Sequence, residues 1–201
     1  MNKMQVFFVR HGNDDENFRG GWSSLGLVPE GVEQAKQLAV RLRKRKEEYD
    51  ITKIISSDLP RAVETAEILA KELELPMMTD ERLREADNGS LAGMPNEEAL
   101  VKYPGLFWST LEPEECYPNG ESPNQFFVRI KTWFESFLEE YRYFGGNVLV
   151  ITHGGVINVV YHLVRGVEWS NAKKSVPVEN CSVHVLEVGR MEIREQRIDF
   201  L

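Results

Sequence analysis

Short apolar runs alternate along this chain with longer amphipathic stretches, and the two periods separate strands from helices. Residues 4–9 (Met-Gln-Val-Phe-Phe-Val) form a β-prone run that stops at Arg10-His11-Gly12. A polar, glycine-rich loop follows to about residue 28. Pro29-Glu30 then opens a helix to about residue 46, with Val32, Ala35, Ala39 and Leu42 on one face. Lys53 to Ser56 reads as a second strand and Ser57-Asp58-Leu59-Pro60 as a helix start, with Ala62, Ala66, Leu69 and Leu73 buried. Residues 80–121 are irregular and rich in Pro, Gly and Glu, with Asn96 expected to cap a short helix. Ser122 opens a long helix whose Phe126, Ile130, Trp133, Phe134, Phe137 and Tyr141 recur at three and four residues, and Gly145-Gly146 ends it. Asn147–Thr152 is another apolar strand and Gly154–Val164 a helix. From about residue 181 two strands meet near Gly189-Arg190.

Strands alternating with helices predict a three-layer α/β/α structure with a mainly parallel, mixed central sheet. At 201 residues the chain fits a single domain spanning 1–201, with residues 88–121 as an inserted, cap-like segment over the sheet's edge. Apolar residues make up 42% and charged residues 28%, which excludes a disordered chain. The longest apolar runs, such as Val148-Leu149-Val150-Ile151, fall far short of a bilayer span of about 20 residues. Met1-Asn2-Lys3-Met4-Gln5 leads straight into a strand pattern without an apolar leader, so the expectation is a cytoplasmic protein without membrane partners.

Charge and cysteine usage narrow the classes further. The formal charge of −8 argues against a nucleic-acid partner, because such affinity rests on neutralising phosphates. The one basic cluster, Arg41-Leu42-Arg43-Lys44-Arg45-Lys46, reads as a solvated helix end, where cations suit the dipole. Cys116 and Cys181 form no Cys-x-x-Cys pair and read as small hydrophobes. His162 and His184 sit inside helix and strand patterns and read as structural.

In open α/β sheets ligands bind beyond the carboxyl ends of the strands. Three such ends carry unusual polar residues here. The first delivers Arg10 and His11, the second leads to Arg61 in the first turn of its helix, and the strand at 148–151 delivers Thr152-His153-Gly154-Gly155. Two guanidinium forks suit a phosphoryl dianion, and a helix N-terminus after Gly154-Gly155 adds backbone donors. Histidine is a competent nucleophile near neutral pH, and a second, protonated histidine can hydrogen-bond the transferring group. Phosphoryl transfer asks mostly for positioning and charge stabilisation.

These residues resemble the histidine phosphatase superfamily, phosphoglycerate mutase-like. Arg10-His11-Gly12 with Asn17 matches the opening Arg-His-Gly-x-x-x-x-Asn motif. Leu27-Val28-Pro29-Glu30-Gly31 with Glu33-Gln34-Ala35 is similar to the segment that follows it. Ser56-Ser57-Asp58-Leu59-Pro60-Arg61-Ala62 with Thr65-Ala66 resembles the second arginine motif. Leu83-Arg84-Glu85 before Gly89, then Gly120-Glu121-Ser122, then Thr152-His153-Gly154-Gly155 complete the series. Arg-His-Gly alone arises by chance in roughly one or two chains in a hundred; six motifs in order do not.

The resemblance implies a phosphoglycerate mutase-like fold and a histidine acid phosphatase-like phosphomonoesterase, with small-molecule phosphomonoesters as partners. His11 attacks phosphorus, Glu85 protonates the leaving alcohol and then activates water, and Arg10, Arg61 and His153 form the phosphate pocket, with Asn17 at its edge. Neither cofactor nor metal is implied. The family's Glu or Gln at position 13 and Thr or Ser at 14 are here Asn13 and Asp14. An ionised Asp14 cannot donate to a phosphate and repels it if it faces inward. The segment after Glu85 also lacks the family's aromatic residues. Phe18, Trp22, Phe107, Trp108 and Tyr117 either line an apolar leaving-group pocket or pin the insertion to the core. Two alternatives stand beside hydrolysis: a cofactor-dependent phosphoglycerate mutase and a non-catalytic binding module. Between residues 88 and 121 one lysine, Lys102, faces six glutamates, and the paired arginines of mutases are missing, which favours a phosphatase.

Overall fold

Val6, Phe7, Phe8 and Val9 alternate between the two faces of strand β1 (Gln5–Arg10), and all four are buried. A strand apolar on both faces needs a layer on each side, and the computed structural model, which describes residues 4–141 and 145–198, supplies them. The sheet orders its six strands β3-β2-β4-β1-β5-β6. β1, β2 (Ile51–Ser56), β3 (Met77–Thr79) and β4 (Asn147–Thr152) are parallel, while at one side β5 (Val183–Glu187) pairs antiparallel with β1 and β6 (Glu192–Gln196) pairs antiparallel with β5. The predicted three-layer mixed sheet is therefore the observed one.

One layer is α1 (Pro29–Lys44) with α3 (Pro60–Leu73), packed on Phe7, Val9, Leu149 and Ile151. The other is α5 (Pro123–Tyr141) with α6 (Gly154–Arg165), packed on Val6, Phe8, Val148 and Val150. Each strand's even and odd residues thus feed different cores, as a period of two requires. Pro29 and Pro60 each occupy the first helical position, where the missing N–H costs nothing. Ser122 and Gln125 form a reciprocal cap: Gln125 N donates to Ser122 Oγ at 3.2 Å, and Ser122 N donates to Gln125 Oε1 at 2.9 Å.

Several boundaries differ from expectation. The first helix breaks at Arg45, and a one-turn helix α2 (Lys46–Tyr49) follows before Asp50 turns with positive φ. β2 begins at Ile51 because that buried residue already pairs with Asn147. β3, three mostly exposed edge residues, has no periodic signal to read. Asn96 does not cap α4 (Asn96–Lys102): Pro95 holds that position, and Asn96 Nδ2 donates to the Glu16 carbonyl at 2.7 Å. Cys116 is exposed rather than a core hydrophobe, and Cys181 is half-buried. The expected stop of α5 at Gly145-Gly146 and the leaderless start at Met1–Lys3 depend in part on residues 142–144 and 1–3, which lie outside the described residues.

His184 is buried and structural, its ring bonded to Tyr161 Oη and Ser182 Oγ, and burial pushes it down to about 4. His162 pairs through Nδ1 with the Glu168 carbonyl at 2.8 Å. Among the described residues no helix is long and apolar enough to cross a membrane, and no group of three or more His, Cys, Asp or Glu could hold a metal ion.

Candidate active site

Parallel pairing aligns the strand ends, Arg10 with Thr152 and Ser56 with Ile151. The alignment continues one step beyond the sheet, where His11 N donates to the Thr152 carbonyl at 3.0 Å and Ser57 N to the Ile151 carbonyl at 2.9 Å. His11, Ser57 and His153 are thereby fixed against one another by backbone before any side chain acts. The rings of His11 and His153 lie 5.0 Å apart, both buried.

The hydrogen bonds assign the tautomer of His11. Its Nδ1 lies 2.7 Å from the Gly12 carbonyl, which only accepts, so Nδ1 carries the proton. Nε2 then holds a lone pair, and Arg61 Nε donates to it at 3.2 Å. Burial, followed by the Arg61 guanidinium, pushes this imidazole well below the usual histidine range. The result is a neutral ring whose unprotonated nitrogen accepts from a cation. Gly12 makes this turn possible, because a Cβ there would collide with the backbone of Gly31 at the start of α1.

Arg61, only 2% exposed, is spread over Gly21 O (2.7 Å), Ser23 Oγ (3.3 Å) and the His11 ring. Arg10 Nη1 donates to the Val178 carbonyl at 2.8 Å, and its buried Nε has no partner. His153 Nε2 lies 2.8 Å from Ser57 Oγ, while its buried Nδ1 has none. Burial, then Arg61, His11 and Arg10, hold His153 well below the usual range. The expectation of a protonated second histidine is thus corrected. Burial beside the Arg61 and Arg10 guanidinium groups favours the neutral ring, whose Nε2 shares a hydrogen bond with Ser57 Oγ.

Glu85 lines the same cavity, its carboxylate at the start of α6. Its Oε2 accepts from Gly155 N at 3.0 Å and its Oε1 from Ala86 N at 3.1 Å. Its main chain is held as firmly: Trp22 Nε1 and Arg129 Nη2 both donate to the Glu85 carbonyl, at 2.7 and 3.1 Å. Arg129 is itself paired with Glu121, which also accepts from Asp87 N. The cavity, about 370 Å³, is lined by Arg10, His11, Glu85, Gly154 and Gly155, among others. That size is in the range of small-molecule sites.

The arrangement is one cation-rich cup around an unprotonated imidazole nitrogen, with a carboxyl group lining the same cavity. The family model described as "Histidine phosphatase superfamily (branch 1)" matches residues 6–199. The chain belongs to this superfamily. Phosphoglycerate mutase-like protein 4 of Arabidopsis thaliana is 32% identical, over 92% of this chain and 79% of its own length. Among solved structures, a mycobacterial glucosyl-3-phosphoglycerate phosphatase is 25% identical with a TM-score of 0.76, covering 96% of this chain and 97% of its own. The alpha-ribazole phosphatase of Shigella flexneri, 20% identical, shares the fold with a TM-score of 0.80 over 96% of this chain and 95% of its own.

In this superfamily member Arg10, His11 and Glu85 line the cavity with Gly154, while Arg61 and His153 are buried against the His11 ring, Arg61 Nε at 3.2 Å from its Nε2 and the His153 ring 5.0 Å from its centre. Asn17 does not join them. It is exposed, bonded through both N and Nδ2 to Asp15 Oδ1 at 3.0 and 2.8 Å. Asp14, by contrast, turns inward: its Oδ2 stands 3.4 Å from Arg61 Nε. The helix N-terminus is partly taken, since Gly155 N serves Glu85. Two further residues hold the site: Ser57, which lies in the second arginine motif, bonds His153, and Arg129 bonds the Glu85 carbonyl. Arg19, Lys173 and Lys174 also line the cavity. All three come from outside residues 88–121, so the acidic balance of that segment does not include them.

Proposed function

We propose that this chain is a metal-independent phosphomonoester phosphatase working through a phosphohistidine on His11. The observation that carries the reading is the fixed tautomer of His11, whose Nε2 lone pair accepts from Arg61 Nε while its ring lies 5.0 Å from that of His153. In the first step Nε2 forms a bond to phosphorus, the P–O bond to the alcohol breaks, and Glu85 gives its proton to the departing oxygen. In the second, Glu85 takes a proton from water as the water oxygen bonds to phosphorus. The P–N bond breaks and inorganic phosphate leaves. Arg10, Arg61, Gly154 and His153 hold the phosphoryl oxygens, a task electrostatics alone can meet without a metal. Residues 88–121, which form a small core around Leu91, Leu111 and Tyr117, serve as the cap over the leaving-group end.

The test is turnover of p-nitrophenyl phosphate in the presence of EDTA, together with acid-labile, base-stable labelling by a phosphodonor. Absence of both across pH 5–8 would leave a binding module. The name of the Arabidopsis relative favours a second reading, a mutase that returns the phosphoryl group to another position of the substrate. It is distinguished by phosphoglycerate interconversion that depends on a bisphosphorylated primer.

Asp14 bears directly on this reading. A carboxylate 3.4 Å from Arg61 competes with the incoming dianion for the same guanidinium. Asp14→Asn or Asp14→Thr is expected to raise kcat/KM for p-nitrophenyl phosphate, and to tighten inhibition by inorganic phosphate, by about tenfold. No change in either would mean that Asp14 leaves Arg61 whenever phosphate arrives.

A further inference from the structure

The cavity is far more cationic than the protein that contains it. The chain carries a formal charge of −8, yet Arg10, Arg19, Lys173 and Lys174 line this space beside a single carboxylate, Glu85. Arg10 belongs to the phosphoryl cup. The other three do not, and among the described residues none of them forms an ion pair. Arg19 lies over the Phe107 ring, with its Nε buried and unpartnered. Lys173 and Lys174 are exposed, which puts them on the solvent side of the cavity.

The segment bearing the lysines is anchored at both ends. On one side Asn171 Nδ2 donates to the Trp108 and Leu111 carbonyls at 2.5 and 2.9 Å, tying it to the insertion. On the other, Ser175 N and Val176 N donate to Asn158 Oδ1 at 3.0 and 3.2 Å. Asn158 is buried on α6 and is itself part of the cavity wall. Two adjacent ammonium groups are thus presented at the cavity by a braced segment rather than a loose tail. The aromatic residues Trp108, Tyr117 and Trp169 line the same cavity. Trp108 and Tyr117 stack at 5.9 Å.

We propose that Lys173, Lys174 and Arg19 form a second anion subsite, so that the preferred phosphomonoester carries a further anionic group on its alcohol portion. The proposal rests on the phosphatase reading for the first phosphoryl group, but its test does not need turnover. Unpaired cations facing a cavity attract anions into it and discriminate against neutral analogues, because the neutral analogue leaves them with nothing to pair.

Calorimetric titration with three hydrolysis-proof phosphonates reads the subsite. Benzylphosphonate lacks a second anion, (4-carboxybenzyl)phosphonate adds a carboxylate, and p-xylylenebisphosphonate adds a phosphonate. At low salt the doubly anionic ligands are expected to bind about tenfold tighter than benzylphosphonate, the size expected of a few solvent-screened charge contacts. Whichever of the two binds tighter identifies the anion. Lys173→Ala/Lys174→Ala should collapse the ratio towards one, and Lys173→Arg/Lys174→Arg should restore it. Lys36→Ala, an exposed lysine on α1, should leave it intact. Equal affinities in the unmodified protein, a ratio that survives the double alanine variant, or equal collapse in Lys36→Ala would each overturn the subsite. Failure of every phosphonate to bind would overturn both readings. Intact discrimination without turnover of phenyl phosphate would overturn the phosphatase reading alone.

Discussion

Replacing His11 with alanine is expected to abolish phosphoenzyme formation and to lower kcat for any phosphomonoester by about 10⁴-fold or more. The size follows from what the side chain does: without Nε2 nothing in the cup can accept the phosphoryl group, and the remaining donors can only bind it. Phosphate or vanadate should still bind, because Arg10, Arg61 and His153 are all retained. Turnover persisting in His11→Ala with unchanged labelling would move the nucleophile elsewhere, and His153 would be the next to test. The pH profile makes a second demand on the same residue. The attacking form is unprotonated, and burial and Arg61 lower the pKa of His11. Protonation therefore removes activity only as pH falls through a value below the ordinary histidine pKa of about 6.5. The acid limb of kcat/KM should lie on the acid side of that value. A limb from His11 at or above it would contradict the buried, cation-flanked environment.

Much of the cup was legible in the sequence because its members sit where apolar runs end. Arg10-His11 and His153 each follow a strand too hydrophobic to be anything but buried, and Arg61 lies one residue after a helix-starting proline. Parallel pairing then brings them together without further instruction. What could not be read depends on side-chain direction or on distant segments meeting. Asp14 alternates with its neighbours through a bridge to Leu27, and nothing in a run of three acidic residues says which one turns towards Arg61. Asn17 matched a motif, but a short amide beside Asp15 closes a local turn instead, an option open to any Asx residue. Lys173 and Lys174 lie about 160 residues from His11. Only the clamps through Asn158 and Asn171 bring them to the cavity. The short strand β3 and the break at Arg45 were illegible for a plainer reason. Each involves too few buried residues to leave a period.

Glu85→Gln is expected to separate substrates by their leaving groups. A p-nitrophenolate departs without help, so its release should lose little. An alkyl alkoxide cannot depart without a proton, and hydrolysis of an alkyl phosphate should fall by about 10²–10⁴-fold, the usual worth of a positioned general acid. Equal losses on both substrates would refute the assigned role, because a purely structural glutamate would not distinguish them. A second variant reaches the same conclusion without touching the carboxyl group. Gly155 offers its N–H to Glu85 Oε2, and a Cβ at that position would collide with Glu85 Oε1. Gly155→Ala should therefore displace the acid rather than remove it, and should reproduce the leaving-group dependence in weaker form while phosphoenzyme still accumulates. If Gly155→Ala instead lowered both substrates alike and prevented labelling, the start of α6 would be serving the phosphoryl group directly, and Glu85 would hold that helix end in place instead of supplying a proton.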